Sequence, residues 1–518
     1  MTKLTDFTSY ADVQAHFSKD ALWALFDGDR ERLNIAHECV DRHPADRVAV
    51  RIAHAEGRDE AITFGELTHW SSRFASWLRV RGVEPGQRVA IMLEPGLPFY
   101  AALFGAMKAG CVAVPLFTLF GPDGLKLRIE DCAPELLLLA PEKRELTSAT
   151  DVPCVIADQD FMADLARQSM VFEPVMDSNA MAMYQYTSGT TRTLPEAVKH
   201  RHRAVVTVCI AALYATGVRP GDLYMCPSSP AWGHGLWHGT LAPLALGVTI
   251  AAYAGQFDAE RLMRAIEDYR ITNLSAAATH YRMMKATGTA GEHSFALKKL
   301  TFTGEAMDDV TGEWVKDTFS QYARSIYGST EVGVILAAYP GAEDFTFKPG
   351  SLGKPVPGVE VAVLRGDGTP TDPGEVGEIH LKRRDGWFPI KDLGHVDADG
   401  HFYHDGRADD VIISAGWTMS AQEIENTILS HPDVAEVAVI AVPDETRGQV
   451  AKAVVVSSRD GDDAFVTEIQ DHAKQHLARH EYPRQVAFAA DLPKTPAGKI
   501  NRKALRDADA LTRETASQ

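Results

Sequence analysis

The sequence predicts an α/β protein built from stacked β/α subdomains, a β-rich subdomain and a small C-terminal α/β domain. Between Asn34 and Tyr327, short apolar segments alternate with helical patterns, which is typical of parallel β/α units. Glycine and proline become dense from about Pro349, where short alternating segments indicate the β-rich part. The charged stretch from Asp405 to Asp410 precedes the smaller α/β part, so we expect a domain boundary there.

Length and composition fit this division. A chain of 518 residues is too long for one ordinary core. Hydrophobic residues make up 45% and charged residues 24%, as in soluble globular proteins. The net charge of −18, from 52 basic and 70 acidic residues, argues against nucleic acid or an anionic membrane as the main partner. An anionic substrate would therefore need a local positive site.

Cysteine usage and hydropathy indicate a cytoplasmic protein. The six cysteines are scattered without a CxxC pair, which favours reduced thiols over a zinc site or disulfides. The segment from Met1 to Asp20 has no apolar core, so we expect no signal peptide. No charged residue lies between Asp222 and Asp258, but three prolines, five glycines and two histidines interrupt this stretch. We interpret it as buried strands and loops and not as a membrane span.

The first elements follow from periodicity and capping residues. A lead-in helix over 34–42 and a strand over 48–53 are predicted. The next helix begins after Thr63, with Glu66 as its capping-box partner. The apolar face of this helix repeats every three to four positions, at Leu67, Trp70, Phe74 and Leu78. Gly82 ends the helix.

The remaining elements continue the alternation. In the first part we predict strands over 88–93, 111–115, 136–140 and 154–157, with helices over 97–109 and 125–132. Further along we predict helices over 204–216, 261–270, 281–287 and 308–319, with strands over 273–276, 300–303 and 324–327. The β-rich part has strands over 359–364 and 375–382. The last part has helices over 421–429 and 465–477 and strands over 434–441, 451–457 and 485–489, and the polar tail from Asp507 is expected to fray.

A hydroxyl-rich segment, YTSGTTRTLP at 186–195, is the first candidate for function. Small hydroxyl residues around a glycine can wrap backbone N–H groups around a polyphosphate. The segment lacks the Walker A pattern. By itself it is more typical of a serine- and threonine-rich surface turn, so the other motifs decide between the two.

Those motifs follow in a recognisable order: TGEA at 303–306, YGSTE at 327–331, IKD at 390–392, GRADD at 406–410, AGW at 415–417 and PKTPAGK at 493–499. Together with the hydroxyl-rich segment, this ordered set resembles the adenylate-forming superfamily. The superfamily holds acyl- and aryl-CoA synthetases, firefly luciferase and the adenylation domains of nonribosomal peptide synthetases. The resemblance covers roughly 34–506. The segments 34–43 and 115–125 look most similar to medium-chain acyl-CoA and benzoate-CoA ligases.

The resemblance implies a nucleotide site in several pieces. The phosphates of ATP would be held by Thr187, Ser188, Gly189, Thr190 and Thr191. The adenine and the acyl carbonyl would lie against Gly304, Glu305 and Ala306. The adenine ring and the α-phosphate would contact Tyr327, Gly328, Ser329 and Thr330, and Glu331 would hold Mg²⁺ through oxygen. The ribose hydroxyls would bind Asp392 and Arg407.

The sequence departs from the family pattern in two of these pieces. In the phosphate loop, one residue is inserted, Arg192 replaces a glycine and Glu196 replaces a lysine. If Glu196 faces the phosphates, it repels them by on the order of 1 kcal/mol, which Arg192 or Lys199 could offset. Alternatively, that half of the loop points into solvent. In the ribose motif, Ile-Lys stands where Thr-Gly is usual, before Asp392.

The resemblance also implies a moving C-terminal domain. Residues 1–407 would bind ATP and the acid, and residues 408–518 would rotate about Asp409. Lys499 would bridge the acyl carboxylate and the α-phosphate, and with Thr330 and Glu331 it would form the catalytic set. After rotation, Gly416 and Trp417 would line the tunnel for coenzyme A.

The acyl site is expected to include Trp232, His234, Gly235 and Tyr281. His234 could bind a carboxylate or cap a loop. The absence of an aspartate near Trp232 argues against an amino-acid substrate.

The expected activity is therefore that of an ATP-dependent carboxylic acid:CoA ligase. ATP, coenzyme A and Mg²⁺ are implied, and the acid would be short- or medium-chain, branched or aromatic. One alternative is an enzyme that loads the acyl group onto a separate carrier protein. Another is a catalytically silent adenylate-binding protein. The sequence leaves the oligomeric state open, a homodimer included.

Overall fold

The computed structural model describes residues 2–186, 196–329, 332–407, 412–414, 417–419, 421–444, 447–477, 482–495 and 500–516. The chain forms two compact units. Unit 1 consists of Met1–Gly304, Val315–Thr346 and Val356–Gly358. Unit 2 consists of Glu305–Trp314, Phe347–Pro355 and Val359–Gln518.

The helices are α1 (Tyr10–His16), α2 (Lys19–Trp23), α3 (Phe64–Val80), α4 (Leu97–Lys108), α5 (Pro122–Cys132), α6 (Gln159–Ala166), α7 (Ala204–Tyr214), α8 (Ala242–Ala245), α9 (Ala259–Asp268), α10 (Ala278–Thr287), α11 (Asp309–Phe319), α12 (Ala421–Leu429), α13 (Asp463–His476) and α14 (Arg502–Ala516). Two π-helical segments are His37–Asp41 and His234–Leu241. Short 3₁₀ segments are Leu4–Asp6, Pro141–Ala149 and Ala290–Glu292.

The strands are β1 (Val48–His54), β2 (Asp59–Thr63), β3 (Arg88–Met92), β4 (Val112–Pro115), β5 (Leu136–Leu139), β6 (Cys154–Ile156), β7 (Met181–Gln185), β8 (Val198–Arg201), β9 (Leu223–Met225), β10 (Thr249–Ala254), β11 (Asn273–Ala277), β12 (Lys299–Thr303), β13 (Ala323–Ser329), β14 (Gly333–Ala337), β15 (Lys354–Pro355), β16 (Val361–Leu364), β17 (Gly377–Arg383), β18 (Gly386–Val396), β19 (Phe402–Arg407), β20 (Ile412–Ser414), β21 (Trp417–Met419), β22 (Val434–Asp444), β23 (Gly448–Ser457) and β24 (Gln485–Phe488).

Unit 1 contains two largely parallel sheets. The strands of one follow the order β14-β13-β12-β11-β9-β10-β1-β2, and those of the other follow β6-β5-β3-β4-β7-β8. Antiparallel pairing occurs at β14, β2 and β8. Inner strands such as β5 and β11 are buried along their whole length, as expected for parallel sheets covered on both faces. Their carboxyl ends therefore meet at common edges, where α/β proteins bind ligands.

Unit 2 contains two smaller sheets. One is the antiparallel sheet β16-β17-β18-β19. In the other, β21-β20-β23-β22 are antiparallel and β24 lies parallel to β23. Helices α12 and α13 cover this second sheet, with Ile424, Ile428, Phe465 and Ile469 buried in its core.

Most of the predicted α/β pattern is confirmed. The capping box at the start of α3 forms as expected: the Glu66 N–H donates to the Thr63 hydroxyl at 3.1 Å, and the Thr63 N–H donates to the Glu66 carboxylate at 2.8 Å. The uncharged stretch after Asp222 is buried as β9, the π-helical segment, α8 and β10. No helix within the described ranges is long and apolar enough to cross a membrane. All six cysteines are free thiols.

The predicted fraying of the tail after Asp507 is wrong. This segment lies in α14, where Asp509 is buried and its carboxylate accepts from the Lys452 ammonium at 2.6 Å and pairs with Arg513 at 2.7 Å. Arg502 anchors the start of the helix through the buried Glu425, at 2.6 Å. The tail is rich in polar residues, but two of the polar residues in this helix pair with Lys452 and Glu425, which lie far away in the chain.

Other differences concern boundaries and omissions. The lead-in helix expected over 34–42 is shorter and contains the π-helical segment His37–Asp41. Strands β18 and β19 and helices α1 and α2 were not predicted. The compact units divide the chain near residue 359, with the β-rich part in unit 2. The functional boundary at 407/408 and the pivot at Asp409 concern motion, and they stay predictions.

Candidate active-site residues

The two stems of the phosphate loop lie in one sheet of unit 1. Strand β7 leads into the loop at its carboxyl end, and β8 returns antiparallel beside it. The predicted phosphate-binding residues Thr187, Ser188, Gly189, Thr190 and Thr191, and also Arg192, lie outside the described residues. Glu196 is exposed, and the Lys199 ammonium lies 5.1 Å above the Tyr184 ring. Both alternatives for Glu196 remain open.

A carboxylate from α5 contacts both stems. The Tyr186 hydroxyl lies 2.7 Å from Oδ2 of Asp131, and the Ala197 N–H donates to the same oxygen at 3.1 Å. The Tyr186 hydroxyl also lies 2.9 Å from the carbonyl oxygen of Arg128. Sequence reasoning missed Asp131, because nothing in the pattern of α5 indicates a partner more than fifty residues away.

The next two motifs end neighbouring strands of the other sheet. Strands β12 and β13 are parallel, and the Thr303 hydroxyl donates to the Ile326 carbonyl at 3.1 Å. Gly304 therefore follows β12 beside the strand that carries Tyr327, Gly328 and Ser329. Glu305 and Ala306 belong to unit 2. Thr330 and Glu331 lie outside the described residues.

The backbone of the neighbouring strand leaves no room for a side chain at Gly328. A methyl group at this position would lie 2.0 Å from the carbonyl oxygen of Gly333 on the returning strand β14. The register between β13 and β14 shifts at Tyr327/Gly328, which brings the two backbones together there. A glycine at this position is thus a structural requirement of the motif.

The first acyl motif begins the π-helical segment His234–Leu241. Nδ1 of the buried His234 lies 2.9 Å from the Ser228 hydroxyl, and Nε2 lies 2.8 Å from the Ser275 hydroxyl. Both ring nitrogens therefore have hydroxyl partners, which favours the loop-anchoring alternative for His234. A methyl group at Gly235 would lie 2.2 Å from the Ser229 carbonyl oxygen. The chain thus folds back tightly on itself here.

Trp232 and Trp237 flank this turn. Trp232 packs beside a core cluster that includes Phe117 and Tyr186. The Trp237 indole N–H donates to the side-chain oxygen of Gln185 at 2.9 Å. Because Gln185 ends β7, this bond joins the acyl motif to the first stem of the phosphate loop.

The second acyl motif starts α10. Nδ1 of His280 accepts from the Ala277 N–H at 3.0 Å, so an imidazole caps the first turn of the helix. Tyr281 is fully buried, and its hydroxyl donates to the Thr301 carbonyl at 3.0 Å. Burial raises the pKa of Tyr281, so the phenol stays protonated. Its contact with an acyl group stays a prediction.

Burial also keeps several histidines of unit 1 neutral. Desolvation disfavours the imidazolium, and it lowers the pKa to about 4 for His43, His200, His202, His238 and His280. At neutral pH these side chains act as uncharged hydrogen-bonding groups. The acyl motifs therefore gain no positive charge from His238 or His280.

In unit 2, the ribose motif lies on β18. Asp392 is 7% exposed, its backbone pairs with Arg407 on β19, and its Oδ2 lies 3.9 Å from Nε2 of His404. The preceding residue, Lys391, has a φ of +65°. The lysine thus adopts the left-handed conformation that the family glycine would adopt easily. The departure from the family pattern changes the side chain while the backbone keeps a glycine-like angle.

Several other predicted site residues are described in part or lie outside the described residues. Asp409, Gly416 and Lys499 lie outside the described residues. Arg407 and Trp417 are described in their backbones alone, on β19 and β21. Over the described ranges, no three His, Cys, Asp or Glu side chains come together as a metal site. The roles of all these residues stay predictions.

Comparison with known families gives matches along both parts of the chain. The profile of the AMP-binding enzyme family matches residues 36–386. The profile of the AMP-binding enzyme C-terminal domain matches residues 423–499.

Individual relatives match over nearly their whole length. An acetyl-coenzyme A synthetase of Bacillus subtilis (strain 168) is 30% identical, over 96% of this chain and 94% of that protein. A 3-hydroxybenzoate–CoA ligase of Aromatoleum sp. (strain CIB) is 29% identical, over 92% of this chain and 97% of that protein. The crystal structure of an acyl-CoA synthetase of Brucella canis superimposes with a TM-score of 0.76 at 30% identity, covering 98% of this chain and 99% of that chain.

Proposed function

The chain belongs to the AMP-binding enzyme family. From this premise we propose that it joins a small carboxylic acid with an uncharged tail to coenzyme A, with ATP as the energy source. It is an AMP-forming acid–thiol ligase. In the proposed reaction, the carboxylate attacks the α-phosphorus of ATP and diphosphate leaves. The thiol of coenzyme A then attacks the acyl adenylate, and AMP leaves.

The lack of charge around Trp232, His234 and Gly235 carries the proposal for the acid. Residues 223–257 contain no Asp, Glu, Lys or Arg, and burial keeps His238 and His280 neutral. A charged acid tail would thus find no charged partner in the stretch 223–257, and the cost of removing it from water would not be offset there. The relatives named for acetate and 3-hydroxybenzoate chemistry support a small acid, so we propose a short- or medium-chain, branched or aromatic one.

Nucleotide binding is proposed for the motif residues in the roles that the resemblance implies. In these roles, the phosphates would be bound by Thr187–Thr191. The adenine would be bound by Gly304–Ala306 and Tyr327–Ser329, and the ribose by Asp392 and Arg407. Supporting observations are the adjacent ends of β12 and β13 and the glycine-like backbone before Asp392. Thr330 is proposed to hydrogen-bond the α-phosphate.

Mg²⁺ is proposed at Glu331. A carboxylate offers the hard oxygen ligand that this ion prefers. When bound, the ion would neutralise charge on the phosphates of ATP.

Lys499 is proposed as the cation that stabilises the charge developing between the carboxylate and the α-phosphate. Its segment would dock for adenylation. Rotation about Asp409 would then bring Gly416 and Trp417 to the site for thioester formation. One site would thus serve two half-reactions.

A panel of carboxylic acids tests the proposal. Diphosphate release is measured with and without coenzyme A, and acyl-CoA is identified by mass spectrometry. Lys499→Ala should lower the adenylation rate by about a hundredfold or more, since such a charge contributes several kcal/mol to the transition state. Lys503→Ala, an exposed lysine close by, is the matched control and should behave as wild type.

Two outcomes would contradict the proposal. Acyl adenylate without acyl-CoA for every acid would favour a carrier-protein acceptor. No diphosphate with any acid would favour a silent adenylate-binding protein.

A further inference from the structure

The phosphate-loop stems converge on a single oxygen atom. Tyr186 immediately precedes the loop segment 187–195, and Ala197 follows it after Glu196. Oδ2 of Asp131 accepts hydrogen bonds from the Tyr186 hydroxyl at 2.7 Å and from the Ala197 N–H at 3.1 Å. One side chain therefore bridges the two ends of the loop, beyond the last backbone pair of β7 and β8 at Gln185 and Val198.

Asp131 is well suited to hold this spacing. An ionised carboxylate oxygen accepts two donors, and hydrogen bonds to a charged acceptor are stronger than neutral ones. The helix that carries it, α5, is fixed because Leu125, Ile129 and Cys132 are buried in the core. On the same helix, the Arg128 guanidinium stacks 3.7 Å from the Phe120 ring centre and lies 5.6 Å from that of Tyr186.

We infer that Asp131 is a positioning residue for ATP binding. It acts through its hydrogen bonds to Tyr186 and Ala197. It fixes Tyr186 and Ala197 at the two ends of the loop, and its loss would weaken ATP binding while leaving the binding of the acid and coenzyme A unaffected. This inference rests on the proposed phosphate-binding role of the loop.

The geometry allows the two hydrogen bonds of Asp131 to be tested separately from its negative charge. Both donors reach the same oxygen, so the carbonyl oxygen of an asparagine at this position can accept both. Asp131→Asn should therefore keep the anchor, and the nearly isosteric Asp131→Leu should remove it. Glu130→Leu is the matched control, because Glu130 is exposed on the same helix and its carboxylate faces Lys126 at 4.0 Å.

The first measurement is hydrogen exchange at the Ala197 amide, read by mass spectrometry on the full-length protein. Exchange should be about tenfold faster or more in Asp131→Leu, and within about twofold of wild type in Asp131→Asn and Glu130→Leu. Tyr186→Phe, which removes one donor, should fall between them. Equal protection in all variants would overturn the anchor itself.

The second measurement is steady-state kinetics with an acid found active in the panel. Asp131→Leu should raise the KM for ATP roughly three- to tenfold, with kcat and the KM for the acid changed less than about twofold. Asp131→Asn should restore the wild-type KM for ATP. A fall in kcat and in thermal stability with an unchanged KM for ATP would overturn the positioning role.

Failure of the proposed ligase function is distinguishable from failure of this inference. If no acid is active, the Ala197 exchange still tests the anchor. Calorimetric titration of ATP into wild type, Asp131→Leu and Asp131→Asn then replaces the KM. A dissociation constant that is the same in all three would overturn the inference.

Discussion

Gly235 in the acyl motif and Lys391 in the ribose motif show two different reasons for a glycine. At Gly235 the carbonyl oxygens of Ser228 and Ser229 occupy the place of a side chain. At Lys391 the side chain is exposed, and only the φ of +65° favours glycine. The first position tolerates no larger residue, whereas the second carries a lysine. A glycine imposed by space is thus stricter than one imposed by backbone angle.

The physical costs explain this difference. A methyl group at 2.2 Å from a carbonyl oxygen forces the backbone to move, and that displacement spreads through packed neighbours. A left-handed angle at a non-glycine residue costs about 1–2 kcal/mol and disturbs no neighbour. Three substitutions test this difference.

Gly235→Ala should have the largest effect. Since the backbone must shift, we expect a loss of at least about 3 kcal/mol of unfolding free energy, measured by urea denaturation. The control is Gly233→Ala, where the added methyl group would meet the end of the Gln185 side chain at 2.6 Å. That amide can rotate away, so its loss should be smaller. Equal losses of unfolding free energy in the two variants would contradict the claim that the Ser228 and Ser229 carbonyl oxygens exclude a side chain at Gly235.

Gly288→Ala isolates the backbone angle. Gly288 ends α10 with a φ of +72°, and nothing lies within 4 Å of an added methyl group. The expected loss is about 1 kcal/mol, seen as a lower urea midpoint at constant slope. Gly288→Asn should lose less, because asparagine tolerates the left-handed region. A loss as large as that of Gly235→Ala would contradict the claim that a backbone angle is the weaker requirement for glycine.

Lys391→Gly should have the smallest effect, and of opposite sign. Relief of the backbone angle is partly offset by the greater freedom of glycine in the unfolded chain, so we expect a gain of about 0.5 kcal/mol. Lys391→Ala keeps the unfavourable angle and should give no gain. Thermal unfolding of the two variants side by side measures the difference. If both variants are destabilised equally, the lysine side chain stabilises unit 2 in its own right.

Local signals in the sequence were sufficient for much of the fold. The Thr63–Glu66 capping box and the apolar periodicity after it predicted α3 closely, because both depend on neighbours within one or two turns. The order of the motifs predicted the family, because that order is present in the sequence itself and needs no contact in the fold. The sequence also placed two motifs at the ends of β12 and β13, since parallel strands share a carboxyl edge.

Three features that the sequence did not predict involve partners distant in the chain. Helix α14 looked like a frayed tail because its anchor at Asp509 is Lys452, and no local pattern joins the two. Asp131 was missed for the same reason. The partners of His234 became visible only when Ser275 was brought beside it by β11. Periodicity reports which side of an element is buried, but it does not report which distant polar group will meet it.

The buried histidines make the unfolding of unit 1 a proton-consuming reaction in mild acid. Each has an ordinary pKa of 6.5 when exposed and a pKa of about 4 when folded, for His43, His200, His202, His238 and His280. The stabilisation from keeping them neutral is complete above pH 6.5 and is lost as the pH falls toward 4. Near pH 5 the unfolded chain binds about four more protons at these positions than the folded one. Acidification near pH 5 therefore shifts the folding equilibrium toward the unfolded chain at these positions.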